Sequence, residues 1–133
     1  MKVLKFGGSS VGLPSRMIEV QKIVQQYQKP VLVVVSALQG ITDQLEELAS
    51  MASQKDGSYK KILEEIKYRH HQFIGELEDL LDKSSVISKI DTLLSELEDI
   101  VSGVYLLNDL TPKIHDRIVS FGELISSSIL VSL

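Results

Sequence analysis

The sequence predicts an α/β fold: a parallel βαβ unit at the front, then a helical hairpin and one further helix. Three observations predict it. Val3-Leu-Lys-Phe6 is a short strand pattern that stops at Gly7-Gly8. Val31-Leu-Val-Val-Val35 is an unbroken apolar run rich in β-branched residues. Everything after it repeats apolar residues every three to four positions, the helical period.

Taken in order, the first strand gives way to a glycine loop, and Pro14 suits the first turn of a helix, where its missing N–H costs nothing. Met17, Val20, Val24 and Tyr27 follow at helical spacing until Lys29-Pro30 breaks the pattern. With no polar alternation, Val31–Val35 reads as a strand covered on both faces. A strand, helix and strand in that order connect right-handed and parallel. Leu45, Leu48, Ala49 and Ala52 mark the next helix, with Thr42 and Asp43 as its capping residues. Lys55-Asp-Gly-Ser58 is a loop. Ile62, Ile66, Phe73, Leu77 and Leu80 mark a long helix, Asp82-Lys-Ser-Ser85 a turn, and Ile87, Ile90, Leu94, Leu97, Val101 and Val104 a second long helix. Two such stretches around a short turn form an antiparallel hairpin. Their seam is under three heptads, which favours packing within the chain over a coiled coil. Thr111-Pro112 caps and opens the last helix, whose buried face is Ile114, Ile118, Phe121 and Ile125.

Two strands buried on both faces are not a stable sheet by themselves. The expectation is therefore that residues 1–133 form the front portion of one larger α/β domain.

Composition narrows the function. The 133 residues are 44% apolar and 24% charged with a net charge of −4, so the chain folds. It has no cysteine, hence no disulfide, thiolate metal site or cysteine nucleophile. No apolar run approaches the roughly 20 residues of a membrane span, and a cytoplasmic protein is expected. Residues 1–30 carry Lys2, Lys5, Arg16, Lys22 and Lys29 against Glu19 alone, while residues 31–110 are strongly acidic. Acidic balance, 5% aromatic residues and no tryptophan argue against a nucleic-acid partner. A basic front in an acidic chain suits a small anion.

Ligands of open α/β sheets bind beyond the carboxyl ends of the strands. Two segments leave from those ends, Lys5-Phe-Gly-Gly-Ser-Ser-Val-Gly12 and Ser36-Ala-Leu-Gln-Gly-Ile-Thr-Asp43. The first is no P-loop, because Leu13 and Pro14 stand where Lys and Ser/Thr belong, and no dinucleotide fingerprint, because position 9 is serine. It leaves Gly7-Gly8, the Ser9 and Ser10 hydroxyls and a following helix start, which together suit phosphate. Lys5 interrupts an apolar strand, where an ammonium is costly unless it finds an anion. A third segment, Ser120-Phe-Gly-Glu123, lies in the last helix with Glu123 off its apolar stripe; by itself Glu123 reads as an exposed helix glutamate. Gly122 and Ser126-Ser-Ser128 permit close approach of another backbone. His70, His71 and His115 fit no metal-ligand spacing, and no metal residue is assigned.

The three segments resemble, in order, the K-F-G-G-[ST]-S-V, V-S-A-x-x-G-[IV]-T and S-x-G-E signatures of aspartate kinases, within the amino acid kinase superfamily. The chain is identified as the N-terminal part of such a domain, an incomplete three-layer amino acid kinase-like fold. Position 9 is serine where threonine is usual, which keeps the hydroxyl. The resemblance implies transfer of the γ-phosphoryl group of ATP to the β-carboxylate of L-aspartate, for lysine, methionine and threonine synthesis. It implies Lys5 as the catalytic cation, with Gly7, Gly8, Ser9 and Ser10 on the ATP phosphates. It places Ser36, Ala37 and Thr42 on aspartate, and Glu123, as a buried acid, on the substrate ammonium. ATP brings Mg2+, whose ligands are not identifiable in this chain. The full-length protein is expected to be a homo-oligomer, to carry further nucleotide-binding segments, and to be the active species; the fragment alone is expected to be inactive. The Gly103–Pro112 stretch is similar to the branch that also carries homoserine dehydrogenase. The rival readings are a kinase for glutamate, UMP or carbamate, and a non-catalytic chain that associates through its helical hairpin.

Overall fold

A computed structural model describes residues 1–77 and 82–133. Its order is β1 (Lys2–Phe6), α1 (Gly8–Val11), α2 (Pro14–Gln25), β2 (Val31–Val35), α3 (Ile41–Ser53), α4 (Tyr59–Gly75), α5 (Lys83–Leu107) and α6 (Pro112–Val131). Among the described residues the sheet is the single parallel pair β1–β2, with Lys5 opposite Val34 and Phe6 opposite Val35. The Ser36 N–H donates to the Phe6 carbonyl at 3.0 Å, which carries the ladder one residue past β2.

The strand run is covered on one face rather than two. Side chains alternate along a strand, so Phe6, Val33 and Val35 join the core while Val3, Leu32 and Val34 stay 54%, 52% and 44% exposed. Lys5 shares the open face. Its ammonium therefore stays hydrated, and the expected desolvation cost does not arise.

The core lies among the helices. α3 packs on α4, α5 and α6 through Ile41, Leu45, Leu48, Ala49 and Ala52, all essentially inaccessible. The small side chains of Ala49 and Ala52 let neighbouring helices approach. α4 and α5 run antiparallel: Tyr59 near the start of α4 stacks on Tyr105 near the end of α5 (ring centroids 5.1 Å apart), and His71 near the end of α4 bonds Asp91 near the start of α5. α5 buries Val86, Ile90, Leu94, Leu97, Val101 and Val104, with Ile87 flanking, so the hairpin packs within the chain as its periodicity requires.

Several local expectations are corrected. α1 is an extra helical turn inside the glycine loop. Tyr27 lies past the end of α2. α3 starts from Gly40, in the left-handed region at φ 81°, so Thr42 and Asp43 sit inside its first turn and cap nothing. Asp82 is not part of a free turn; its carboxylate accepts the Ser85 N–H at 3.1 Å and caps α5, which holds its pKa below the usual carboxylate value, with the Ser84 hydroxyl adding to the effect. Leu77 is buried just beyond α4, while Leu80 lies outside the described residues. Thr111 caps α6 as expected, its hydroxyl accepting the Ile114 N–H at 3.2 Å. No helix among the described residues is long and apolar enough to cross a membrane.

Candidate phosphoryl-transfer site

The glycine loop closes on itself. The Gly7 carbonyl accepts the Ser10 and Val11 N–H groups at 2.9 and 3.3 Å, which winds Gly8–Val11 into one helical turn. Its glycines do different jobs. A Cβ on Gly12 would stand 2.6 Å from the Gly8 carbonyl and 3.1 Å from the Gln39 Cβ, so the fold itself requires glycine there. A Cβ on Gly7 would meet nothing within 4 Å. The open space at Gly7 is available to a ligand and is not consumed by packing. The first N–H groups of α1, which no earlier turn of helix can satisfy, open beside it. Arg16 Nη1 donates to the Ser9 carbonyl at 3.0 Å and steadies the turn from α2.

The second loop lies against the first. A Cβ on Gly8 would be 3.6 Å from the Ala37 carbonyl. Ser36 is half-buried, and its carbonyl accepts the Ser126 hydroxyl of α6 at 2.7 Å across 90 residues of sequence. Ala37 is buried under Gly122, where an added Cβ would fall 2.6 Å from the Ala37 Cβ. What Ala37 offers a ligand is therefore backbone, since its methyl is committed to the α6 contact. Thr42 is exposed in the first turn of α3. That first turn, whose N–H groups have no earlier helical turn to satisfy them, suits a carboxylate.

Glu123 is exposed, which corrects the expectation of a buried acid. It lines a groove of about 410 Å³ between α6 and β2 together with Arg117, Ser120, Val34 and Val35. Val34 is the residue that relates the two charges: it pairs with Lys5 across the sheet and faces the groove that holds Glu123. Among the described residues neither Lys5 nor Glu123 has an ion-pair partner. The two loops, Lys5 and Glu123 thus gather at the carboxyl ends of β1 and β2.

Sequence reasoning counted Arg16 only as part of a basic front, missed Arg117 and Arg69, and saw Ser126 only as a small residue. Arg69 of α4 donates to the Gln39 carbonyl and, at 3.0 Å, to Gln44 Oε1. Such contacts join distant segments and leave no local spacing pattern. The histidines lie elsewhere: His70 is buried in α4 with its Nδ1 on the Ile66 carbonyl at 2.8 Å, and burial pushes its pKa down to about 4. His71 bonds Asp91, and His115 is near Asp116. Among the described residues no three His, Asp or Glu side chains gather as a metal site.

The profile of the amino acid kinase family matches residues 1–133. Aspartokinase 3, chloroplastic, of Arabidopsis thaliana is 35% identical over 127 residues, 94% of this chain and 22% of the relative. The aspartokinase of Chlamydia trachomatis serovar D is 32% identical over 130 residues, 98% of this chain and 27% of the relative. Bifunctional aspartokinase/homoserine dehydrogenase 1, chloroplastic, of A. thaliana is 30% identical over 132 residues, 98% of this chain and 14% of the relative. Among solved structures, E. coli aspartokinase III in complex with lysine and aspartate superposes with a TM-score of 0.83 at 30% identity, covering 99% of this chain and 28% of that one. The same enzyme with aspartate and ADP gives 0.81 at 28% identity, with the same coverage. The chain thus spans between a seventh and a little over a quarter of the length of these proteins.

Proposed function

The chain belongs to the amino acid kinase family, and from that premise we propose that its full-length protein is an aspartate kinase, with residues 1–133 the N-terminal portion of the catalytic domain. The observation that carries this reading is the convergence of three separate segments: Gly8 against the Ala37 carbonyl, and Ser126 on the Ser36 carbonyl with Glu123 one turn away. The aspartate named in both E. coli complexes, and the ADP in one, supports the choice of substrates.

In this reading the γ-phosphoryl group of ATP lies over Gly7, with the Lys5 ammonium and the first N–H groups of α1 offsetting charge on its oxygens. A β-carboxylate oxygen of L-aspartate attacks phosphorus in line; the new O–P bond forms as the bond to the β,γ-bridging oxygen breaks, and ADP leaves with that electron pair. No general base is needed, because a carboxylate of pKa about 4 is already ionised at neutral pH. Ser36, the Ala37 backbone and Thr42 hold aspartate, and Glu123 pairs with its ammonium, which separates an amino acid from a plain dicarboxylate. Mg2+ arrives with ATP, held by its phosphates; among the described residues no three His, Asp or Glu side chains gather around it. The open row Val3, Leu32 and Val34 is the face against which further layers of the domain pack. The reaction runs in the cytoplasm and feeds lysine, methionine and threonine synthesis.

The test is turnover by the full-length protein with ATP and aspartate, glutamate, UMP or carbamate, followed by ADP release for all four, with aspartyl phosphate confirmed by trapping with hydroxylamine. Aspartate should be preferred, and Lys5→Ala should lower kcat by roughly 100-fold or more with the fold intact. Preference for another acceptor, or unchanged activity in Lys5→Ala, overturns the reading. Residues 1–133 alone should turn over nothing.

A further inference from the structure

Arg69 belongs to none of the three motifs, yet it holds one of them. Nη2 donates to the Gln39 carbonyl, Nη1 donates to Gln44 Oε1 at 3.0 Å, and Nη1 lies 3.3 Å from where a Cβ on Gly40 would stand. The guanidinium therefore spans the Gly40 turn, bonded to the residue before it and to the first turns of α3 after it. Gly40 makes this approach possible, both by its left-handed φ of 81° and by lacking a Cβ. Among the described residues the backbone of the turn bonds from the Ile41 N–H to the Leu38 carbonyl at 3.0 Å and from the Gln44 N–H to the Gly40 carbonyl at 3.2 Å, and Arg69 adds the side-chain hold. Arg69 itself stands on a stiff support, since Ile66 and Ile74 on either side of it along α4 are fully buried.

We propose that Arg69 is a positioning residue for the amino-acid side of the site: it fixes the Ser36–Thr42 segment from behind, by clamping the turn that leads into α3. This rests on the aspartate kinase reading. A planar fork with both arms engaged restricts a turn more than a flexible ammonium does. Among the described residues this segment meets residues 7–12 of the glycine loop by close approach alone, Ala37 beside Gly8 and Gln39 beside Gly12, with no hydrogen bond between the two, so the amino-acid subsite depends on the hold more than the phosphate subsite.

The experiment compares the full-length protein with its Arg69→Met and Arg69→Lys variants by hydrogen exchange of the peptide covering residues 38–44 and by steady-state kinetics. In Arg69→Met, exchange of that peptide should quicken roughly tenfold, with α5 unchanged, on loss of two charge-assisted bonds. KM for aspartate should rise about tenfold, with kcat and the KM for ATP each within about threefold of wild type. Arg69→Lys should recover part of both effects. Unchanged exchange at residues 38–44 overturns the proposal, as does quickening that extends equally through α5, or a parallel rise in both KM values. Should the wild type fail to phosphorylate aspartate, the kinase reading falls alone, and the exchange measurement still decides whether Arg69 holds the turn.

Discussion

Gly122 of α6 and Ala37 of the second loop fit together with no spare volume: a Cβ on Gly122 would lie 2.6 Å from the Ala37 Cβ and 3.4 Å from Leu45 Cδ1. This contact sets how far α6, and Glu123 with it, stands from the loop after β2. Gly122→Ala should destabilise the intact protein by about 1–3 kcal/mol, the usual cost of overpacking. Adding Ala37→Gly removes the closest clash. Denaturant melts of the two single variants and the double should show a coupling of about 1 kcal/mol or more; additive losses would mean the two residues do not share one niche.

The two ends of the glycine loop should respond in opposite ways. Gly12→Ala pushes a methyl into the Gly8 carbonyl and should cost stability by about 1–3 kcal/mol. Gly7→Ala meets no neighbour and has an ordinary extended backbone at φ −75°, so its melting point should stay near wild type. Its nucleotide affinity should fall roughly tenfold or more, because the methyl occupies the space assigned to phosphate. Calorimetric titration with ATP beside thermal melts separates the two effects.

His70 should make stability pH-dependent. Its folded pKa of about 4 is below the ordinary histidine value of 6.5, chiefly through burial, with Arg69 and His71 adding repulsion against the opposing Ile66 carbonyl. The folded state therefore binds fewer protons than the unfolded state between those values. The contribution is present in full above pH 6.5 and is lost as pH falls toward 4, on the order of 3 kcal/mol in all. His70→Leu should flatten that part of the curve of unfolding free energy against pH. An unchanged slope would assign the acid sensitivity to other groups.

The Thr111 cap offers a check on α6 independent of ligands. Thr111→Ala removes the acceptor for the Ile114 N–H and should lower stability by about 1 kcal/mol, whereas Thr111→Ser should be close to neutral. Equal losses in both variants, measured by thermal unfolding, would place the contribution of Thr111 in its methyl group.

Elements with a local signature were legible in the sequence. The strand run at Val31, the prolines at helix starts and the 3–4 spacing of α5 each state their structure within a dozen residues. Motif order likewise pointed to the loops that the fold brings together. What escaped was set by distant partners. Thr42 and Asp43 have good capping side chains, but the Gly40 turn clamped by Arg69 starts α3 before they can act. The exposure of Lys5 depended on which face of β1 receives a covering layer, a property that no five-residue window contains. Arg69 and Ser126 reach across 30 and 90 residues, where sequence periodicity has nothing to say.

The bond from Ser126 to the Ser36 carbonyl also gives the site a history during synthesis. Ser36 leaves the ribosome 90 residues ahead of its donor. At about 5–20 residues per second, that is an interval of roughly 5–18 s. Through that interval the niche for Gly122 is unfilled and the Ser36 carbonyl lacks its hydroxyl partner. The loop after β2 thus takes its final surroundings only once translation has supplied the helix that covers it.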